Sequence, residues 1–276
     1  WVTTDHVLNV FGQTTLDGDN YFDSDARLRI QSNGALFTDK LLIDSNATLE
    51  LLDGTADVNE DAFIAIGGTL KGAGALLVSD RLTNNGLIQA NGVQTLILTT
   101  FSPDSVDVWD LGGSGGGVVE AIDGDIFVHG SHLGEFAGSM TIGPRRKIDM
   151  DKAWTLAQTG FLNLNGGVDV FATFSGDIAT IKGTVNVDKN TKMDGVTRFQ
   201  SPADVNINDA DDRLILEGNT TFAGGSYIGN GELVQATNLF IDADTTIDTA
   251  TFDWGNSGPF NNNDLTVEPN ATLTIN

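Results

Sequence analysis

The chain has 276 residues, 38 acidic side chains against 14 basic ones for a formal charge of -24, 33 glycines, 5 prolines and no cysteine. Charge of that sign excludes a phosphate-neutralising nucleic-acid binder and disfavours an anionic membrane surface. The lack of cysteine excludes a disulfide framework, thiolate chemistry and cysteine-ligated zinc, and no apolar run approaches the ~18 residues that cross a bilayer.

Hydrophobic residues recur with period two almost throughout. Trp1 opens directly on a strand-like run through Val7, Leu8, Val10 and Phe11. Further alternating runs are Leu28-Arg29-Ile30, Thr95 to Leu98, Phe161 to Leu164, Val168-Asp169-Val170 and Val205-Asn206-Ile207, each bounded by Gly, Asn or Asp. Short runs of Val, Ile, Leu, Phe and Thr between such punctuators predict many short strands joined by tight turns, and so an all-β chain. Residues 101–136 break the pattern with Pro103, a glycine tract at 112–117 and the turn Asp123-Gly124-Asp125. They are expected to form an irregular, loop-rich stretch within one continuous segment over 1–276; a linker between two domains is the alternative. The chain stops in mid-alternation at Leu273-Thr274-Ile275-Asn276. That is expected of a piece of a longer polypeptide, so the missing signal peptide carries no information about secretion.

A nine-residue pattern repeats: apolar, any, apolar, acidic or Asn, any, Asn or Asp, two variable positions, apolar. Its copies begin at Leu41, Ala56, Arg146, Val185, Leu214, Leu239 and Leu265, with Asn46, Asp61, Asp151, Asn190, Asn219, Asp244 and Asn270 at the sixth position. Val185 to Leu214, Leu214 to Leu239 and Leu239 to Leu265 are 29, 25 and 26 residues apart. A second repeat relates Gly68 to Leu76 with Gly225 to Leu233. Periods in the twenties with strand–turn–strand content predict a parallel β-solenoid with coils of about 25 residues. The first and third motif positions would point into the core. The Asn or Asp would turn a corner, by left-handed backbone or an Asx turn, and the ninth position would start the next strand.

Arg81 to Ala90 (RLTNNGLIQA), and Trp154-Thr155-Leu156 running into Gly160 to Gly167, resemble phrases of the large repetitive β-helical surface proteins of bacteria, such as filamentous-haemagglutinin-like exoproteins and autotransporter passenger domains. The resemblance covers most of residues 30–276 and is one of style, without a diagnostic motif. It implies a right-handed β-helix, secreted or at the cell surface, serving adhesion or a surface layer, and it carries over no catalytic residue.

Calcium is the cofactor the sequence suggests. Asp17, Asp19, Asp23 and Asp25 place four hard oxygen donors within nine residues, although Phe22 and Leu28 stand where an EF-hand loop needs glycine and glutamate. If the last motif copies lie on successive coils, Glu217, Asp242 and Glu268 sit about 4.8 Å apart on one edge. Like charges that close repel by roughly 1 kcal/mol per neighbour even in water. A divalent cation, a neighbouring lysine or solvation must offset this. His129, His132 and Glu135 lack the HExxH spacing of a zinc helix. The Gly-x-Ser-x-Gly match around Ser114 lies in a glycine tract with no helix to follow it. Arg145-Arg146-Lys147 beside Asp149 and Asp151 reads as a local ion-pair patch, and Asp209, Asp211 and Asp212 as a chance cluster of acids. The threonines of Thr220-Thr221, Thr245-Thr246, Thr249-Thr251 and Thr272-Thr274 are expected mostly at corners, short of a flat ice-binding array.

The chain therefore reads as a non-enzymatic structural or adhesive segment of a long extracellular β-solenoid. It would continue covalently or associate with copies of itself, end to end as a filament or surface layer, with a cell-surface glycan or protein as receptor. Nucleic acid and membrane insertion are not expected. The alternative is a β-helical polysaccharide-binding or -processing domain, tailspike-like or lyase-like, for which a groove with a perturbed carboxylate pair is the discriminating feature.

Overall fold

The computed structural model describes residues 6–92, 94–100, 116–130, 135–254 and 264–276. Most of the irregular 101–136 stretch, with Ser114 and His132, lies outside the described residues. Among those described there are 28 strands and no helix, arranged as about 11 solenoid turns with ~21-residue spacing. Contacts divide the chain into two compact units, residues 1–140 with 148–152 and residues 141–147 with 153–276. The division falls beyond the stretch that the sequence offered as an alternative linker.

Each unit has three parallel faces. In the first unit, one face carries the inward column Leu8, Leu28, Leu49, Leu70, Ile88 and Val119, each residue directly paired with the next. A second carries Leu36, Ala56, Leu76, Leu98, Val128 and Met150. The third carries Phe22, Ile43, Ile64 and Asn84. In the second unit the corresponding columns are Leu162, Val185, Val205, Tyr227, Ile247 and Ile275; Phe174, Met193, Leu216, Gln235 and Trp254; and Leu156, Ile181, Phe199, Phe222, Ile241 and Val267. Period-two alternation sends every other residue into the core, and like residues stack on like because successive turns are in parallel register. Phe199, Phe222 and Tyr227 form an aromatic knot there, with centroids 4.3–5.6 Å apart.

Two local devices make the corners. The first is a turn whose chemistry repeats at 21 residues: Asp23-Ser24-Asp25-Ala26 and Asp44-Ser45-Asn46-Ala47. Ala26 N–H donates to Asp23 O at 2.9 Å and Ala47 N–H to Asp44 O at 3.0 Å, with Asp25 and Asn46 left-handed at φ 65° and 63°. Each leading aspartate accepts the next N–H at 2.7 Å, an Asx cap. The second device is glycine at a bend within one long strand. Gly72 (φ 117°) and Gly229 (φ 136°) occupy equivalent positions of the second repeat, and a Cβ on either would lie 2.0 Å from a carbonyl of the turn below. Only glycine lets the backbones approach so closely.

The nine-residue motif turns more than one kind of corner, and this corrects the predicted coil length. In the second unit the copies at 185–193, 214–222 and 239–247 each connect a different pair of faces; the stacked copies are those at 239–247 and 265–273, paired at Leu239–Leu265 and Ile241–Val267. Lags of 25 and 29 residues are thus a turn plus a change of corner, not a coil. Left-handed backbone at the sixth position occurs at Asn46 alone of the seven copies. The threonines are also misplaced by the sequence reading. Thr220, Thr221, Thr245, Thr246, Thr249, Thr251 and Thr274 lie within strands, and Thr220 and Thr245 point inward, their hydroxyls donating to Gly218 O at 3.1 Å and Ala243 O at 2.9 Å.

Candidate functional site

Two carboxyls that shift one another lie at a corner of the second unit. Met193 pairs with Leu216, so the following residues, Asp194 and Glu217, meet on adjacent turns, and Glu217 N–H donates to Met193 O at 2.9 Å. Glycine follows each acid. A Cβ on Gly195 would stand 1.8 Å from Gly176 O, and one on Gly218 would stand 1.6 Å from Gly195 O. The turns therefore close tightly beneath the two carboxyls and hold them against each other.

The pair shares a proton. Burial, then the hydrogen bond and charge of Glu217, push Asp194 up to about 6, while Lys192 and Lys147 pull the other way. Burial pushes Glu217 up too, but its hydrogen bonds with Lys192 and Asp194 outweigh this and hold it below the usual range. Below about pH 6 the proton thus sits on Asp194 and is donated to Glu217, whose other partner is the Lys192 ammonium. Lys192 lies over the Phe171 ring, 4.6 Å from its centroid. The arrangement raises one carboxyl, lowers the other and holds a proton between them below about pH 6.

The residues predicted as calcium ligands come together only in part. Asp19 pairs in register with Lys40, Asp23 caps its own turn, Asp25 adopts the left-handed corner, and Asp17 is exposed at the preceding bend. The strand 19–22 separates the last two from the first two. Asp242 and Glu268 do occupy one column, since Glu268 N–H donates to Ile241 O at 2.9 Å, whereas Glu217 stands at a different corner beside Asp194. Arg198 bonds Asp242 at 2.7 Å and Lys192 bonds Glu217, so basic neighbours supply the counter-charge that the repulsion argument asked for.

Among the described residues, the acids whose oxygens all lie within 4.8 Å of one another are Asp209, Asp211 and Asp212. Asp212 accepts N–H bonds from Lys189 at 3.0 Å and Asp209 at 2.9 Å, and Asp211 pairs with Lys189 Nζ at 2.7 Å. Those bonds stitch a turn. His129 Nδ1 meets Asp151 Oδ2, and Gly130 N–H donates to the same carboxylate at 3.1 Å, which makes this histidine part of a corner.

Outward residues form ladders that the sequence reading missed. In the first unit Arg29, Glu50 and Lys71 are successive rungs, with Arg29–Glu50 at 2.7 Å and Lys71–Glu50 at 3.6 Å; Gln89 and Glu120 continue the column at 2.8 Å. In the second unit Asn206 donates to Asn186 at 3.0 Å and Asn186 to Asn163 at 2.9 Å. For Arg29, Glu50 and Lys71 and for the asparagines the signal was polar residues at 20–23-residue lags, which shows only once the true turn length is known; Gln89 and Glu120 lie 31 residues apart. Comparisons with protein-family models, curated proteins and solved structures find no match to this chain.

Proposed function

We propose that the chain is a structural or adhesive segment of a long extracellular or cell-surface β-solenoid. The observation that carries this reading is the pair of side-chain ladders, charged in the first unit and amide in the second, by which outward residues tie each turn to the next. Such ladders add register-specific bonds to the backbone ladder and oppose sliding between turns. Adhesion and self-association belong to the same proposal.

Single-molecule extension tests the mechanical role. Release of one ~21-residue turn lengthens the chain by about 70 Å at full extension. The expected record is a series of force peaks spaced by that increment or its multiples; extension without resistance overturns the proposal. Protease or antibody access on intact source cells tests the location, and a wholly protected chain refutes a surface role.

A polysaccharide-processing domain is the second reading, and the Asp194–Glu217 pair is what favours it. It requires that Asp194→Asn abolish cleavage of some polysaccharide by the wild-type protein. Full retention of such an activity in that variant removes the pair from it.

A further inference from the structure

The third face of the first unit carries two parallel outward rails. One is charged with alternating sign: Asp19 pairs in register with Lys40, and Asp61, immediately before the Leu41–Ala62 rung, follows. Two residues along the same strands and on the same side stands the other rail, Tyr21, Leu42 and Phe63, again in direct register. Phe63 is 36% exposed and Tyr21 and Leu42 are half-buried. Between the rails runs a groove of about 190 Å³ lined by these six residues together with Asn20 and Leu41.

The occupant follows from the two rails. A ligand lying along the stack must be apolar toward one rail and hydrogen-bonding toward the other, across the width of a single groove. A charged chain of either sign meets a like charge within two rungs, and polyanions are further repelled by the net charge of -24. An uncharged chain of hydroxyls avoids both penalties, because a hydroxyl donates to carboxylate and accepts from ammonium. Lys40 also pairs with Glu60 at 3.2 Å, but an ammonium has three donors and retains capacity. Tyr21 and Phe63 lie two rungs apart, about 10 Å, the span of two linked sugar rings, whose C–H faces pack on aromatic rings.

We infer that this strip is a binding site for a neutral, linear oligosaccharide, Tyr21 and Phe63 acting as platforms and Asp19, Lys40 and Asp61 as hydrogen-bonding partners. The inference rests on the adhesive half of the proposed function and is independent of the mechanical half, which the extension experiment tests by itself.

Isothermal titration of the whole chain with cellohexaose, maltohexaose, mannohexaose, a galacturonic-acid hexamer and a glucosamine hexamer tests it. At least one neutral hexasaccharide is expected to bind, more tightly than either charged hexamer. Phe63→Ala is expected to weaken that binding about tenfold and Lys40→Gln by several-fold, with circular dichroism unchanged in both. The inference is overturned if no neutral hexasaccharide binds at millimolar concentration, if a charged hexamer binds equally well, or if folded Phe63→Ala and Lys40→Gln proteins bind undiminished. If Phe63→Ala alone fails to fold, Lys40→Gln decides the outcome.

Discussion

Replacing Asp194 by Asn isolates the shared proton. In the folded protein Asp194 titrates at about 6, against an ordinary 3.8. The native state therefore holds a proton that the unfolded chain releases across this window, and it loses stability as pH rises from about 4 to 6. Two pKa units correspond to roughly 3 kcal/mol at full strength. The side chain is partly exposed, so solvent screening reduces this to about 1 kcal/mol. The amide introduced by Asp194→Asn donates the same bond without a titrating proton, so the variant should escape the loss. Glu217 works with the opposite sign: its depressed value stabilises the fold above its unfolded range and fails below about 4.5. Measurements from pH 5 to 7.5 separate the two groups. The reporter is hydrogen exchange at Glu217 N–H, which bonds Met193 O across the same corner. At pH 7.5 the variant should exchange about fivefold more slowly than the wild type, the ratio expected for about 1 kcal/mol, and at pH 5, midway through the loss, only about twofold more slowly. A wild-type-to-variant ratio independent of pH over that range would refute the shared-proton reasoning.

Gly195→Ala places a Cβ 1.8 Å from Gly176 O at a backbone φ of 94° and should cost about 3 kcal/mol or more by thermal unfolding. Gly18→Ala, at φ 74° with nothing within 4 Å, should cost only about 1 kcal/mol. Equal losses would remove close packing as the cause. Tyr227 has a fully buried hydroxyl without a hydrogen-bond partner. Tyr227→Phe should therefore raise the melting temperature, by about 1 kcal/mol of stability, and a lower melting temperature would show that the hydroxyl is satisfied in solution. Calcium at millimolar concentration, or a chelator, should leave the melting temperature unchanged, since Asp23 and Asp25 make a turn and Asp242 pairs with Arg198. A rise of several degrees with calcium would restore the predicted metal ligands.

Much of the fold was legible because its causes are local. Alternation at Leu28-Arg29-Ile30 or Phe161 to Leu164 decides which side chains face inward whatever those strands pair with. The Gly-x-Gly pair at 72 and 74 and its echo at 229 and 231 mark a bend that needs no other residue type. The acids of 17–25 mark the limit of local reading: a dense run of aspartates looks the same whether it gathers on an ion or punctuates two corners. Asp23-Ser24-Asp25-Ala26 and its copy 21 residues later, Asp44-Ser45-Asn46-Ala47, carry the repeating corner and the turn length with it.

Amino-acid order alone settles that the chain is all-β, that it repeats, and where the backbone bends, since each depends on a few neighbouring residues. Which repeats lie on one another belongs to the tertiary structure. Three corners of a turn accept the same Asn- and Asp-bearing motif, so sequence lags cannot separate a stacked copy from one at the next corner. A slip of one corner moves Glu217 from the column of Asp242 to the side of Asp194. The shared proton, the asparagine ladder and the two rails of the first unit all arise from contacts 20 or more residues apart, and they exist only because successive turns settle in one register.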